Sequence, residues 1–260
     1  MLSTIVFLLL ATSPALVSSL RCHVCREPIR VNYTVTKDNV PALPSDCTVI
    51  EASVCWSSVF WELDRKHTQL EFRGRPGPPE PNSTVHDRVS VRIMKDMGPD
   101  NVTLQSAQEL DFECATSDTC SGPAGIQKVL GALTVQDQFQ QQIAPLLKLI
   151  RPFNPREADC AYIHNTTFRC PEPSFQNCHR CTIEAGVLKP NEYVCATCQP
   201  EPIRDNFVDR FSTFNLQNRT DDFSAAGLGC QLKGCNSLEN INLVFKSSTI
   251  QFNSEEYYKN

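Results

Sequence analysis

The chain has 260 residues, a formal net charge of -5 and a sequence pI near 5.6. This charge balance gives no basic stripe that would neutralise phosphates, so it argues against nucleic acid as a partner. Fourteen cysteines in a chain of this length favour two small disulfide-rich domains over one ordinary domain.

Residues 1–19 have the pattern of a secretory signal peptide. Their apolar run, residues 5–10, precedes Ser18 and Ser19 and is too short to span a hydrocarbon core of about 30 Å. Residues 254–260 are polar and charged, unlike the hydrophobic tail of a lipid-anchor signal. We therefore expect a secreted, extracellular protein with no direct membrane anchor.

Cysteines and glycosylation sequons both fit an exported chain. An even number of cysteines in an oxidising compartment predicts seven disulfides and no free thiol. The cysteines concerned are Cys22, Cys25, Cys47, Cys55, Cys114, Cys120, Cys160, Cys170, Cys178, Cys181, Cys195, Cys198, Cys230 and Cys235. Five N-x-[ST] sequons predict glycosylation at Asn32, Asn82, Asn101, Asn165 and Asn218.

The phrase C-H-x-C occurs twice, at residues 22–25 and 178–181. Each copy is followed by a close pair of cysteines, a cysteine-free stretch and a final pair. We interpret this as an internal repeat, with cysteine-rich modules at residues 20–121 and 177–237. The imidazole that the two copies share, from His23 and His179, has no role that the pattern explains.

Three segments of the first module alternate like β-strands, namely residues 54–63, 85–93 and 102–112. A stretch rich in proline and glycine, residues 73–81, separates the first two and predicts an exposed loop. This loop is a binding tip, a processing site at Arg73 or Arg75, or a tolerated insertion.

A helical connector is predicted at residues 122–176. Apolar residues recur at three- and four-residue steps within 126–150, which indicates one or two amphipathic helices with a kink at Pro145. Thr134 with Asp137 resembles a helix start. An apolar stripe of this kind is typical of a packing face, so we expect the connector to dock on a module.

The most strand-like run of the second module is residues 203–216. A C-terminal tail follows at residues 238–260. We expect its apolar residues Ile241, Leu243 and Phe245 to form a final strand before the polar end.

The pattern L-x-C-x-x-C at residues 20–25 and C-x4-C-N at residues 230–236 resemble signatures of the Ly6/uPAR family of three-finger domains. Both lie where that family has them. The resemblance implies fingers of β-strand projecting from a disulfide-rich palm. The expected fold is therefore mainly β, small and disulfide-rich, with two three-finger-like modules and an α-helical connecting segment.

The resemblance also implies a disulfide pairing, although spacing alone leaves many pairings open. In the first module it implies Cys22 with Cys55, Cys25 with Cys47, and Cys114 with Cys120. By the repeat, the second module has Cys178 with Cys198, Cys181 with Cys195, and Cys230 with Cys235. Cys160 and Cys170 then close a local loop within the connector.

Other chemistry is possible for the C-x-x-C pairs. Cys178, Cys181, Cys195 and Cys198 have the spacing of a zinc ribbon, but thiols oxidise in an exported protein. A redox pair normally lies on a βαβ scaffold, which the chain does not indicate. Hydrolytic motifs such as G-x-S-x-G and H-E-x-x-H do not occur in the sequence. We therefore predict no enzyme activity, no metal and no cofactor.

Aromatic side chains on projecting strands are the candidate binding residues, because aromatics concentrate binding energy at interfaces. They are Trp56, Phe60, Trp61, Phe207, Phe211 and Phe214. A small core would use the same residues. We expect a ligand or modulator of an extracellular or cell-surface protein. The alternatives are a secreted enzyme with a dispersed active site and an extracellular structural or matrix component.

Overall fold

The structure is a computed structural model that describes residues 19–75, 87–98, 100–149, 160–165, 170, 178–188, 191–199 and 206–259. The predicted signal peptide lies outside these ranges except for Ser19. The tip of the predicted loop, residues 76–81, and the sequon residue Asn82 also lie outside them.

The chain contains fourteen strands and four α-helices within the described ranges. The first half has β1 (Leu20–Val24), β2 (Ile29–Val31), β3 (Thr48–Ala52), β4 (Val54–Glu62), β5 (His67–Arg75), β6 (Arg88–Met97), β7 (Leu104–Cys114), α1 (Pro123–Ala132), β8 (Leu133–Asp137) and α2 (Phe139–Gln142). The second half has β9 (Ile163–Asn165), β10 (Arg180–Leu188), β11 (Asn191–Gln199), β12 (Phe207–Asn215), β13 (Thr220–Cys230), α3 (Leu238–Lys246), β14 (Ser248–Phe252) and α4 (Ser254–Tyr258). The expectation of a mainly β, disulfide-rich fold is confirmed.

Ten strands form one antiparallel sheet in the order β2-β5-β4-β7-β6-β12-β13-β10-β11-β9. Each half contributes two hairpins, β4–β5 and β6–β7 in the first, β10–β11 and β12–β13 in the second. β6 and β12 meet at the centre, where Arg92 lies opposite Phe211. A small sheet of β8 and β14 has Val135 opposite Ile250 at its own centre. The two halves are therefore related by an approximate two-fold axis.

Strand pairing shows which residues of the two halves are equivalent. Cys55 in β4 lies opposite Cys114 in β7, and Cys181 in β10 lies opposite Cys230 in β13. Cys181 is therefore the counterpart of Cys55. By the same comparison Cys114 and Cys230 are counterparts, and each closes a short loop by a disulfide.

This equivalence corrects the repeat that we inferred from the C-H-x-C phrases. That scheme aligned Cys181 with Cys25. In the structure the disulfide Cys22–Cys55 corresponds to Cys160–Cys181, so Cys160 is the counterpart of Cys22. The four-residue phrase therefore recurs at positions that are not structurally equivalent.

All fourteen cysteines are paired. The pairs Cys22–Cys55, Cys25–Cys47, Cys114–Cys120, Cys178–Cys198 and Cys230–Cys235 coincide with those that the resemblance implies. Cys160–Cys181 and Cys170–Cys195 replace the expected Cys160 with Cys170 and Cys181 with Cys195. Cys195 lies opposite Glu184, three residues beyond Cys181 along β10. Its side chain therefore points to the other face of the sheet from that of Cys181.

The predicted connector contains a helix and a strand where the apolar spacing indicated helices. α1 begins with proline at its first turn, which suits the fixed φ of that residue. Thr134 and Asp137, predicted to start a helix, instead lie in β8 and pair with β14. The partner strand comes from the far end of the chain, so no local pattern could indicate it.

The C-terminal segment packs on the sheet, and the strand predicted around Ile241 is wrong because α3 occupies these positions. The Ser237 side chain accepts a hydrogen bond from the backbone N–H of Asn240 at 3.2 Å, which caps the helix. Ile241 and Val244 lie on one side of α3 and are buried. One core cluster joins both halves. It lies between the ten-stranded sheet and the helical segments that follow β7 and β13.

Candidate functional site

The candidate site is the face of the ten-stranded sheet that points away from the core, which we call the open face. Successive side chains of a strand alternate between the two faces. In β4, Val59 and Trp61 point to the core while Trp56 and Phe60 point outward. The strand registers extend the outward set to Glu71, Arg88, Arg92, Glu109, Asp111, Glu113, Glu184, Tyr193, Phe207, Asp209, Phe211 and Phe223.

Four of the six predicted binding aromatics share the open face and are half-buried, namely Trp56, Phe60, Phe207 and Phe211. Trp61 and Phe214 are corrected to core residues, with only 6% and 4% exposure. Trp61 follows Phe60 directly, and Phe214 is three residues from Phe211, so an alternating strand turns each of them inward. Two further aromatics lie on this face that the sequence patterns did not indicate, Tyr193 and Phe223.

A depression of about 190 Å³ lies in the first half of the open face. Trp56, Ser58 and Phe60 line it from alternate positions of β4, and the remaining lining residues are Gln69, Glu71 and Glu109. Ser58 is only 7% exposed. The guanidinium carbon of Arg73 lies 5.4 Å from the ring centroid of Trp56. One face of the Trp56 ring is therefore already occupied by a cation–π contact within the protein.

Three carboxylates, Glu109, Asp111 and Glu113, run along β7 beside this depression and form what we call the acidic ladder. Glu113 is neutralised by Arg88, with 2.8 Å between Nη2 and Oε2. Across the described ranges, neither Glu109 nor Asp111 forms an ion pair. Burial raises the pKa of the Asp111 carboxyl to about 6, and the charge of Glu109 adds to the rise. The depression is therefore locally anionic.

The second half carries different residues at the positions of the acidic ladder. Because Cys230 is the counterpart of Cys114, the equivalents of the three acids in β13 are Ala225, Gly227 and Gly229. Any side chain at Gly229 would collide with the ring of Phe207, which lies over it. The fold therefore does not require acids at these positions. Their period-two spacing is the signal in the sequence that indicates a common face for the three acids.

Aromatic rings dominate the second half of the open face. Tyr193 and Phe223 are nearly parallel at 7°, with ring centroids 6.4 Å apart, and Phe211 lies 5.7 Å from Phe223. The Tyr193 hydroxyl donates a hydrogen bond to Glu184 Oε1 at 2.6 Å, which fixes the orientation of this ring. The result is an aromatic cluster on the sheet, in which Phe211 and Phe223 are tilted by 57° to each other and Tyr193 is only 6% exposed.

Polar contacts join the two halves at the centre of the open face. Arg92 of β6 forms an ion pair with Asp209 of β12, with Nη2 and Oδ2 2.5 Å apart. The hydroxyls of Ser90 and Thr213 are 3.2 Å apart. The two halves of the open face therefore form one continuous surface.

The cysteines do not offer a metal site. Within the described ranges, the one group of possible metal ligands is Cys160, Cys178 and Cys198. All three sulfurs are already in disulfides and cannot supply thiolates. The two histidines of the C-H-x-C phrases also differ, since burial lowers the pKa of His23 while His179 is exposed.

The sequons differ in their surroundings. Asn32 and Asn218 are exposed. The Asn101 side chain is half-buried, and its Nδ2 donates to the Leu149 carbonyl at 3.1 Å. Its Oδ1 accepts from the Leu149 N–H at 2.5 Å. The Asn101 amide therefore fastens the segment that follows α2, and the side chain of Asn165 lies outside the described residues.

Comparisons with protein-family models, with curated proteins and with solved structures each gave no match to this chain. None of the helices in the described ranges has the length and apolar character needed to cross a membrane.

Proposed function

We propose that this protein is a secreted, glycosylated binding protein that contacts another extracellular or cell-surface protein through the open face, without catalysis. The observation that carries this proposal is a surface of aromatic and charged side chains, most of them half-buried, that extends across both halves of one sheet. Aromatic anchors contribute most to protein recognition, and a rigid surface loses little entropy on binding.

The same proposal includes two three-finger-like modules, one in each half. Its support is that each half has two hairpins and a disulfide loop that directly follows the second hairpin, Cys114–Cys120 after β7 and Cys230–Cys235 after β13. A further support is Asn236, the residue after the second loop. Its buried side chain bonds to the backbone of Ala161 and Thr182 and so ties the loop to the strands.

The partner that we propose presents a lysine or arginine side chain to the first half of the open face. Glu109 and Asp111 supply negative charge that forms no ion pair within the described ranges, and the ring of Phe60 lines the depression together with Glu109. A cation placed against a ring and near carboxylates gains both electrostatic and cation–π energy.

The test is a binding screen of the purified protein against extracellular proteins and intact cells, followed by titration of any partner found. Phe60→Ala and the pair Phe207→Ala with Phe211→Ala should each weaken binding at least about tenfold, which corresponds to about 1.4 kcal/mol. Val102→Ala is a matched control, because Val102 is 66% exposed and lies outside the open face. Equal affinities for all four proteins would refute this use of the open face.

The charge of the partner is tested separately. Glu109→Gln should weaken binding, and the affinity of the unaltered protein should fall as salt is raised, because screening weakens exposed charge pairs. Affinity that is independent of both salt and Glu109 would rule out a basic partner while leaving the binding role of the aromatics intact.

A further inference from the structure

Two disulfides of the second half touch each other. The Sγ atoms of Cys160 and Cys178 belong to different bonds, Cys160–Cys181 and Cys178–Cys198, yet lie 3.7 Å apart. The Cys198 sulfur lies within 4.8 Å of both. Three sulfurs from two neighbouring bonds are thus close enough for a thiolate released from one bond to reach the other.

The alternative pairing of these cysteines is also compatible with the sheet. Cys181 lies directly opposite Cys198 in the register of β10 and β11, and both side chains are buried on the core face. Directly opposite residues of antiparallel strands have Cα atoms about 4.5 to 5.5 Å apart, which lies within the range that a disulfide spans. Exchange would therefore leave both strands in register.

The first half shows that the fold does not need the Cys178–Cys198 bond. Gly74 lies opposite Cys55 as Cys198 lies opposite Cys181, and Ala52 precedes Cys55 by three residues as Cys178 precedes Cys181. A Cβ atom at Gly74 would lie 3.0 Å from that of Ala52, so the two positions are adjacent there without any bond. Cys178–Cys198 is thus an addition to the framework that both halves share.

We propose that Cys160, Cys178, Cys181 and Cys198 form a thiol–disulfide exchange site whose co-reactant is a thiol. Cys160 is the least buried of the four residues, because Cys178, Cys181 and Cys198 are only 7%, 0% and 1% exposed, so the external thiolate attacks the Cys160 sulfur. This attack forms a mixed disulfide at Cys160 and releases the Cys181 thiolate.

The remaining steps conserve electrons. The Cys181 thiolate attacks the Cys198 sulfur, which forms Cys181–Cys198 and releases the Cys178 thiolate. That thiolate attacks the Cys160 sulfur 3.7 Å away, forms Cys160–Cys178 and expels the original thiol. The thiol is regenerated, and the number of disulfides is unchanged. Cys160 lies in the segment that leads into β9. After the exchange its disulfide partner is Cys178, which lies outside β10, and no longer Cys181, which lies within β10.

The test uses the intact protein. It is incubated anaerobically with a small thiol such as reduced glutathione, quenched with an alkylating reagent and mapped for disulfide-linked peptides. We expect loss of the Cys160–Cys181 and Cys178–Cys198 peptides, appearance of Cys160–Cys178 and Cys181–Cys198 peptides, and no gain in alkylated cysteine. The Cys22–Cys55 peptide of the same sample should remain unchanged.

The variant Cys178→Ala with Cys198→Gly copies the first half and is the matched control. It should lose Cys160–Cys181 by simple reduction, with two alkylated cysteines for each bond broken. If this variant does not fold, the unaltered protein decides alone. Survival of both native pairs at a thiol concentration that reduces Cys22–Cys55 would overturn the proposal, and so would reduction to free thiols without the crossed peptides.

Discussion

Equivalent positions of the two halves can hold different chemistry, as Lys95 and Asp137 show. Their side chains form an ion pair of 2.6 Å between Nζ and Oδ1, with 11% and 9% exposure. The two-fold axis relates Arg92 to Phe211 and Val135 to Ile250, so the counterparts of Lys95 and Asp137 are Phe214 and Phe252. The ring centroids of these two residues lie 5.6 Å apart. An aromatic contact thus replaces a largely buried ion pair.

Lys95→Met should destabilise the protein by about 3 kcal/mol, because it leaves the Asp137 carboxylate buried without its cation. Adding Asp137→Leu should recover most of this loss, since an apolar pair of similar size is often neutral relative to a buried ion pair. Urea unfolding of both variants measures the difference. Arg73→Met removes a more exposed ion pair and should cost less than about 1 kcal/mol. An unchanged free energy of unfolding for Lys95→Met would contradict a stabilising role for the Lys95 cation beside Asp137.

Asp111→Asn should raise stability above pH 6. Burial and Glu109 raise the pKa of Asp111 in the folded state from 3.8 to about 6. A raised pKa means that the folded state binds the proton more readily, so this stabilising contribution is complete below pH 3.8 and is lost as the pH rises through about 6.

The measurement is the free energy of unfolding of both proteins between pH 4 and pH 8. The advantage of Asp111→Asn should approach about 1 kcal/mol at pH 8, since partial exposure screens the repulsion, and should shrink towards pH 4. Glu113→Gln, which loses an ion pair with Arg88, should show no such gain. A constant difference across this range would exclude titration of Asp111 as the cause.

At the scale of elements, the two closing cysteine loops differ in how firmly they are fastened. Asn236, at 0% exposure, donates hydrogen bonds to the carbonyls of Ala161 at 3.0 Å and Thr182 at 3.1 Å. Its counterpart Ser121 is equally buried, and its hydroxyl has no hydrogen-bond partner in the structure described here.

Asn236→Ala should therefore cost about 2 to 3 kcal/mol, because it leaves the backbone groups of Ala161 and Thr182 without their hydrogen-bond partner. Ser121→Ala should cost nothing or stabilise slightly, because the hydroxyl it removes is already unsatisfied. Thermal unfolding of the two variants side by side gives the comparison. Equal losses would mean that Asn236 does not fasten its loop as the hydrogen bonds indicate.

The strands that sequence patterns could predict are those whose apolar residues alternate with polar ones, most cleanly Val89, Val91 and Ile93 of β6. β4 and β7 were predicted from weaker alternation, and the predicted bounds of all three lie within four residues of the observed ones. β10 and β13 were missed because glycines such as Gly186 and Gly227, together with small alanines, interrupt their alternation. α3 was taken for a strand because Ile241, Leu243 and Phe245 fit a period of two, while Ser237 and Val244 indicate a helix.

At the scale of the whole molecule, the halves share two sheets and one core. β6 pairs with β12 over nine residues and β8 pairs with β14 over five. We therefore expect a single cooperative unfolding transition that calorimetry, near-UV circular dichroism and fluorescence report at the same temperature. Two separate transitions would show that the halves are stable independently of each other.

The two-fold arrangement could not be inferred from the sequence. Its evidence is in long-range pairs such as Cys55 with Cys114, and in disulfide partners, none of which a local pattern contains. The dependence on long-range pairs also explains why the candidate site could be predicted only in part. Phe60 and Phe211 could be proposed as binding residues from their type, but their common face depends on β6 and β12 meeting at the centre of the sheet.

The two ends of the ten-stranded sheet have a consequence for the behaviour of the protein in solution. A long exposed strand edge is a template on which another chain can add, and so a starting point for aggregation. Because β6 and β12 cover each other, the ends of the sheet are, in the part of the chain that the structure describes, β2 and β9, which have three residues each. We expect such blunt ends to keep the protein dispersed at high concentration, where a longer terminal strand would invite fibrous association.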